Sequence, residues 1–178
     1  PIYFGVYQQE YDTDFDKASS ILSKNSQLIS WDLDFSKDFP KDKCLAVLEQ
    51  ESIPFLQLQP WLWGDDEAIQ YTNILDGEWD EYLTQFARDA EVFEYPIFIS
   101  FAPNYNLEDK PWSLMKNNKD AASFQRAFRY IVTLFRQEGA QNIIWVWQPH
   151  VLNYPDHEWN DMWKSYPGDD VVDWVGMT

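Results

Sequence analysis

Three consecutive stretches decide the fold: Pro96-Ile-Phe-Ile-Ser-Phe101, the run from Asp120 to Gly139, and Asn142-Ile-Ile-Trp-Val-Trp147. The middle one carries Phe124, Phe128, Ile131 and Phe135 at spacings of four, three and four, which places one apolar stripe along a helix. Asp120 can cap its start, and Gly139 can end it in the left-handed conformation. The flanking runs are apolar at nearly every position rather than at alternate ones. That is what a parallel strand buried on both faces requires.

The same alternation extends in both directions. Toward the N-terminus, Ile2–Tyr7, Leu28–Trp31 and Ile53–Leu58 read as strands, with Pro54 near the start of the third, where a missing N–H does least harm. Helices are predicted from about Asp14 through Leu22, from Asp42 to Gln50, and from Glu78 to Ala90 with Tyr82, Phe86 and Ala90 on one stripe. Toward the C-terminus, Val171–Gly176 reads as a sixth strand. Strands alternating with helices predict an α/β fold with a parallel sheet. A doubly wound open sheet is the rival. Gly5 is isolated, however, and Tyr7-Gln-Gln-Glu-Tyr11 is too bulky for a phosphate-cradling loop after the first strand. The expected architecture is a (β/α)8 TIM barrel, with about six strand–helix units in a single domain over residues 1–178. A barrel of eight typically takes about 250 residues. The domain is therefore expected to be incomplete at its C-terminus, and a further C-terminal segment or a larger assembly is expected to cover the sheet edges that six strands would leave open.

Composition narrows the partners. Thirty acidic residues against 13 basic ones give a net charge of −17, a field that repels phosphate backbones and argues against nucleic acid. No run approaches the roughly 20 apolar residues of a membrane span, and no basic-then-apolar leader precedes Pro1. Aromatic residues make up 18% of the chain, including ten Trp. Carboxylates accept hydrogen bonds from hydroxyls and aromatic faces cover C–H faces, so this composition suits a neutral, hydroxyl-rich ligand; equally, the acidity can serve solubility alone. Cys44 is the only cysteine, which rules out an internal disulfide. Its neighbours Leu45, Val47 and Leu48 at helical spacing point to a buried structural thiol. Two His and one Cys cannot assemble a structural zinc site, and no cofactor is expected.

The working face of such a barrel lies at the C-terminal ends of its strands. There the sequence collects Glu10, Tyr11 and Asp12; Trp31, Asp32 and Asp34; Gln59 to Asp66 with Trp61 and Trp63; Asn104, Asn106, Glu108 and Trp112; and Trp147, Gln148 and His150. Trp, Asn, Gln and acids together are the set that reads hydroxylated rings. With ten Trp, several belong to the core, and Trp145 and Trp174 read as barrel filling. His150 reads either as a ligand contact or as a solvated loop residue. Asp65-Asp66-Glu67 reads as a solvated loop or helix start.

Several segments resemble glycoside hydrolase family 26, the group with many β-mannanases. Ile74-Leu-Asp-Gly-Glu-Trp-Asp-Glu-Tyr82 is similar to its segment before the third helix. Pro96-Ile-Phe-Ile-Ser-Phe-Ala-Pro-Asn-Tyr-Asn106, followed by Pro111-Trp112, resembles its fourth-strand signature. Phe124 to Gly139 with Asn142-Ile-Ile-Trp-Val-Trp-Gln-Pro149, and Tyr166-Pro-Gly-Asp-Asp-Val-Val-Asp-Trp-Val-Gly176, resemble the helix, fifth strand and approach to strand six. The resemblance runs in register over about residues 74 to 176. It implies a carbohydrate-active barrel that hydrolyses or binds a β-linked polysaccharide or oligosaccharide, with an extracellular or cell-envelope site favoured.

The resemblance also implies a departure. The family's general acid/base Glu falls on Asn104, its preceding His on Pro103 and its strand Arg on Ser100, while Asn106 and Trp112 keep their types. The family's nucleophile would lie past Thr178. Retaining glycosidases need two carboxyl groups about 5–5.5 Å apart, and an Asn cannot titrate. Losing general acid–base assistance costs about 10²–10⁴-fold in rate. Glu108 is the candidate for a relocated acid, with Asp109 beside it. Trp61, Trp63, Asn106, Trp112, Trp147 and His150 are the candidate sugar contacts. Two readings stay open: a hydrolase with a displaced proton donor, and a catalytically silent module that binds polysaccharide or acts as a scaffold.

Overall fold

A computed structural model describes residues 5–7, 27–64 and 68–178. Six strands, β1 (Gly5–Tyr7), β2 (Leu28–Asp34), β3 (Ile53–Gln59), β4 (Ile97–Phe101), β5 (Ile143–Trp147) and β6 (Trp174–Val175), form one sheet. Every neighbouring pair is parallel, and the strands follow one another in chain order. A doubly wound sheet reverses its strand order at a switch point. The order here never reverses, which is the barrel's winding. Glu10, Tyr11, Asp12, the helix predicted from Asp14 and the Asp65-Asp66-Glu67 run lie outside the described residues.

Helices α1 (Lys41–Leu48), α2 (Tyr71–Leu75), α3 (Asp80–Phe93) and α4 (Ala121–Gln137) cover one face of the sheet. On that face Phe101 meets Tyr71, Phe124 and Phe128, and Trp145 packs edge-on against Phe128 and Phe135 at 6.0 and 5.2 Å. The other face lines the barrel interior. There Phe55 meets Phe98, Phe98 meets Trp174, and Gln57 Nε2 donates to Ser30 Oγ. Apolar residues on both faces explain why these strands read as continuous apolar runs.

Helix α4 forms as its pattern predicts. The Asp120 side chain accepts from Ala122 N at 3.0 Å, and Phe124, Phe128, Ile131 and Phe135 are buried. Gly139 closes it at φ +89, a left-handed conformation that a Cβ would strain. The helix predicted over 78–90 forms as α3, and α2, which the pattern did not predict, precedes it across Gly77 at φ +81. The sixth strand is also shorter than the apolar run 171–176. Asp173 Oδ2 accepts the backbone N–H of Trp145, a side-chain bond in place of a ladder bond, and pairing starts only at Trp174. Cys44 is buried in the core, as its spacing indicates, whereas Leu45 is part exposed.

Candidate functional site

Residues of β1, β2 and β3 and the loops after β3 and β4 line an open cleft of about 510 Å³ at the strands' C-terminal ends. Its floor comes from strand residues that point to the barrel interior. Asp32 on β2 accepts from the Tyr7 hydroxyl at 2.7 Å, and Gln57 and Gln59 stand two apart on β3. Period-two geometry puts both glutamines on one face.

Three tryptophans wall the cleft. Trp61 is held by its Nε1, which donates to Gln59 Oε1 at 3.2 Å, and by a backbone bridge to Ala68. Trp112 is nearly buried, and its Nε1 donates to Pro103 O at 2.8 Å. The Trp61 ring lies 5.5 Å from Trp63 and 6.2 Å from Trp112. Trp63 is 64% exposed. Two rings are thus immobilised by bonds to the protein, and the third offers its surface to whatever enters.

The wall continues through the loop from Asn104 to Trp112. Ala102 and Asn104 adopt φ of +49 and +56 just past β4. Asn tolerates the left-handed region, whereas an Ala there stores of order 1–2 kcal/mol of strain. Asn104 N donates to Gln148 O at 2.9 Å, and its Oδ1 accepts from the Thr178 hydroxyl. Beneath it, at the mouth of the barrel interior, Ser100 Oγ and Gln148 Oε1 are buried without a partner among the described residues. Asp109 and Lys110 complete the wall, paired at 3.2 Å, with the Asp109 side chain 68% exposed.

The structure brings Trp61, Trp63, Asn104 and Trp112 together in this cleft and sets four other candidates apart. Asn106 is fully buried and spends its side chain on the backbone of His150 and Leu152 and on Asn153. Trp147 is fully buried on the helix side, where its Nε1 donates to the Tyr105 hydroxyl and its ring meets Tyr166. Neither faces the cleft: each sits in a position that packing and hydrogen bonding already fill. His150 lines a separate hollow. Glu108 lines neither hollow, with its backbone N–H on Tyr154 O, whereas Asp109 reaches the cleft wall. Tyr7, Gln57 and Lys110 were not legible as cleft residues. The Gln57/Gln59 pair in an otherwise apolar strand was the signal available for one of them. Among the described residues no cluster of His, Cys, Asp or Glu is arranged to hold a metal ion, and no helix is long and apolar enough to cross a membrane.

A family model described as Glycosyl hydrolase family 26 matches residues 78–178. The chain is 28% identical over 153 residues to endoglucanase H of Acetivibrio thermocellus, which covers 85% of this chain and 16% of that protein. It is 31% identical over 107 residues to β-1,3-xylanase TXYA of a Vibrio species, covering 60% of this chain and 21% of the xylanase. Among solved structures, mannanase man26 of Bacillus subtilis superposes with a TM-score of 0.75 at 20% identity, over 99% of this chain and 63% of the mannanase. The catalytic domain of the endo-β-1,4-mannanase of Bacillus sp. JAMB-750 gives 0.75 at 16%, over 98% and 56%. These structures carry the (β/α)8 fold, of which this chain holds six strands, and the chain spans less than two thirds of either mannanase.

Proposed function

Because the chain belongs to glycosyl hydrolase family 26, we propose that it forms part of a carbohydrate-active barrel whose tryptophan-walled cleft binds a β-linked polysaccharide without hydrolysing it. The observation that carries this reading is the composition of the cleft. Three Trp rings, two Gln and Asn104 supply stacking faces and amide hydrogen bonds, the chemistry that holds sugar rings. Asn104, at the position that the family's signature gives to the proton donor, supplies no proton. Asp109 sits in solvent beside an ammonium group, without the apolar burial that prepares a carboxyl for proton donation. The named relatives suggest β-glucan, β-1,3-xylan and β-1,4-mannan as the polymers to test.

A second reading keeps hydrolysis with a displaced acid. The geometry favours Asp109 over Glu108 for that role, because Asp109 lines the cleft and Glu108 does not.

The test runs the full-length protein in native gels containing each polymer, with release of reducing ends measured in parallel. Retardation without turnover is expected. Trp63→Ala is expected to weaken retardation about tenfold, the equivalent of about 1.4 kcal/mol. Turnover lost in Asp109→Ala or Glu108→Ala would instead establish the displaced acid.

A further inference from the structure

Asn104 is held in place by its backbone. Its N–H donates to Gln148 O at 2.9 Å, its carbonyl accepts from Leu107 N at 2.9 Å, and Trp112 Nε1 donates to the preceding carbonyl, Pro103 O. Its side chain lines the cleft. What the backbone does not fix is the sense of the amide. Turned by half a circle about its last bond, an amide fills the same space and exchanges an acceptor for two donors. A neighbour has to choose between the two.

Thr178 is placed to make that choice. It follows β6, where Gly176 N donates to Trp147 O at 2.9 Å, and Thr178 O accepts from Val151 N at 3.0 Å. Those two bonds tie the segment to β5 and to the loop after it. From there the Thr178 hydroxyl donates to Asn104 Oδ1. With Oδ1 engaged, Nδ2 has no hydrogen-bond partner among the described residues, and both side chains line the cleft.

The glutamines of the cleft follow the same rule. Gln59 Oε1 accepts from Trp61 Nε1, a group that can only donate, so Nε2 is the end left uncommitted. Gln57 is turned the other way: its Nε2 donates to Ser30 Oγ, and Oε1 is the uncommitted end. Each amide is thus engaged with the protein at one end only. The senses are set before any ligand arrives.

We infer that Thr178 is a positioning residue, whose hydroxyl holds Oδ1 of Asn104 and so turns Nδ2 into the cleft as a donor to the bound glycan. The inference rests on the proposed binding function and names how one contact of that site is oriented. An N–H donor accepts any sugar oxygen as its partner, including a glycosidic oxygen that has no proton to give. An amide does not titrate, so this contact is independent of pH. Fixing its sense beforehand removes an ordering cost from binding.

The experiment uses the full-length protein and calorimetric titration with hexasaccharides cut from β-1,4-mannan, β-1,4-glucan and β-1,3-xylan, with circular dichroism at each pH as the control for folding. Thr178→Val keeps the shape and removes the hydroxyl. It is expected to weaken binding about threefold to fivefold, Thr178→Ser to restore it, and Thr178→Val to add nothing once Asn104→Ala is in place. Asn104→Asp tests the sense of the amide, because a carboxylate has no proton to give. Its affinity relative to the unaltered protein is expected to be low at neutral pH. It should recover as pH falls through the ordinary carboxyl value, about 3.9, where the protonated acid donates again. Tyr7, Asp32, Asp109 and Lys110 line the same cleft and are common to both proteins, so the ratio reports on position 104. A ratio that stays flat or falls as pH drops overturns the inference. So does full binding by Thr178→Val, or failure of Thr178→Ser to restore it; if Trp63→Ala still weakens binding, the cleft reading stands. If the unaltered protein binds none of the hexasaccharides, both are overturned.

Discussion

The amide of Asn106 is engaged entirely inside the protein: its nitrogen serves three acceptors and its oxygen one backbone donor, at 2.8 to 3.2 Å. Replacing it with Ala leaves the part-buried carbonyls of His150 and Leu152 and the His150 N–H without their partner, and a group left unmet in a buried setting costs about 1–3 kcal/mol. Asn106→Ala is expected to lose about 2–4 kcal/mol in urea denaturation and to loosen the loop at His150. Cys44 shows a different consequence of burial. Desolvation pushes its thiol up to about 12, against a small opposing effect of the neighbouring Lys43 ammonium. The thiolate is the reactive form, so a thiol-specific disulfide reagent is expected to leave the native protein unlabelled near neutral pH and to label it fully in denaturant. Fast labelling of the native protein would contradict the buried placement.

Helix α4 is anchored to the segment before β6 by charges that the apolar stripe does not reveal. Arg129 Nη1 and Nη2 meet Asp170 Oδ1 and Oδ2 at 2.8 and 2.6 Å, a two-pronged pair, and Nη1 also donates to Pro167 O. Arg136 donates to Asp170 O. These contacts hold the segment before β6 against the helix. The Arg129 guanidinium lowers the Asp170 carboxyl from its ordinary value, chiefly through the hydrogen bonds. A carboxyl depressed in the folded state contributes stability that is present above its unfolded value, about 3.9, and is lost as pH falls through the lower folded value. The difference in Tm between the unaltered protein and Asp170→Asn is therefore expected at neutral pH and should vanish in strong acid. Because the pair is exposed, that difference is small.

The charge of the whole chain bears on what it binds. At −17 the protein repels polyanions, while the cleft presents rings and amides to a neutral polymer. Retardation by a neutral β-glycan is expected to persist as salt rises from about 0.1 to about 1 M, over which the screening length falls from about 10 to about 3 Å. Binding that collapses over this range would identify a charged ligand instead.

The sequence by itself determined the class of fold, because buried parallel strands leave unbroken apolar runs and α4 leaves a stripe with a cap and a terminating glycine. It also placed Trp61, Trp63, Asn104 and Trp112 on one rim, since all follow strand ends. It missed the five-residue helix α2, too short to leave a stripe, and the shortness of the sixth strand, where the Asp173 side chain competes with the apolar pattern. Only the tertiary structure decided which rim residues face the cleft. Asn106 and Trp147 have the residue types of sugar contacts, yet their hydrogen-bond partners lie up to 47 positions away in the chain, on the loops after β5 and beside Tyr105. Residue type reports what a side chain can bind; which partner it meets depends on contacts between distant segments, and those exist only once the barrel is wound.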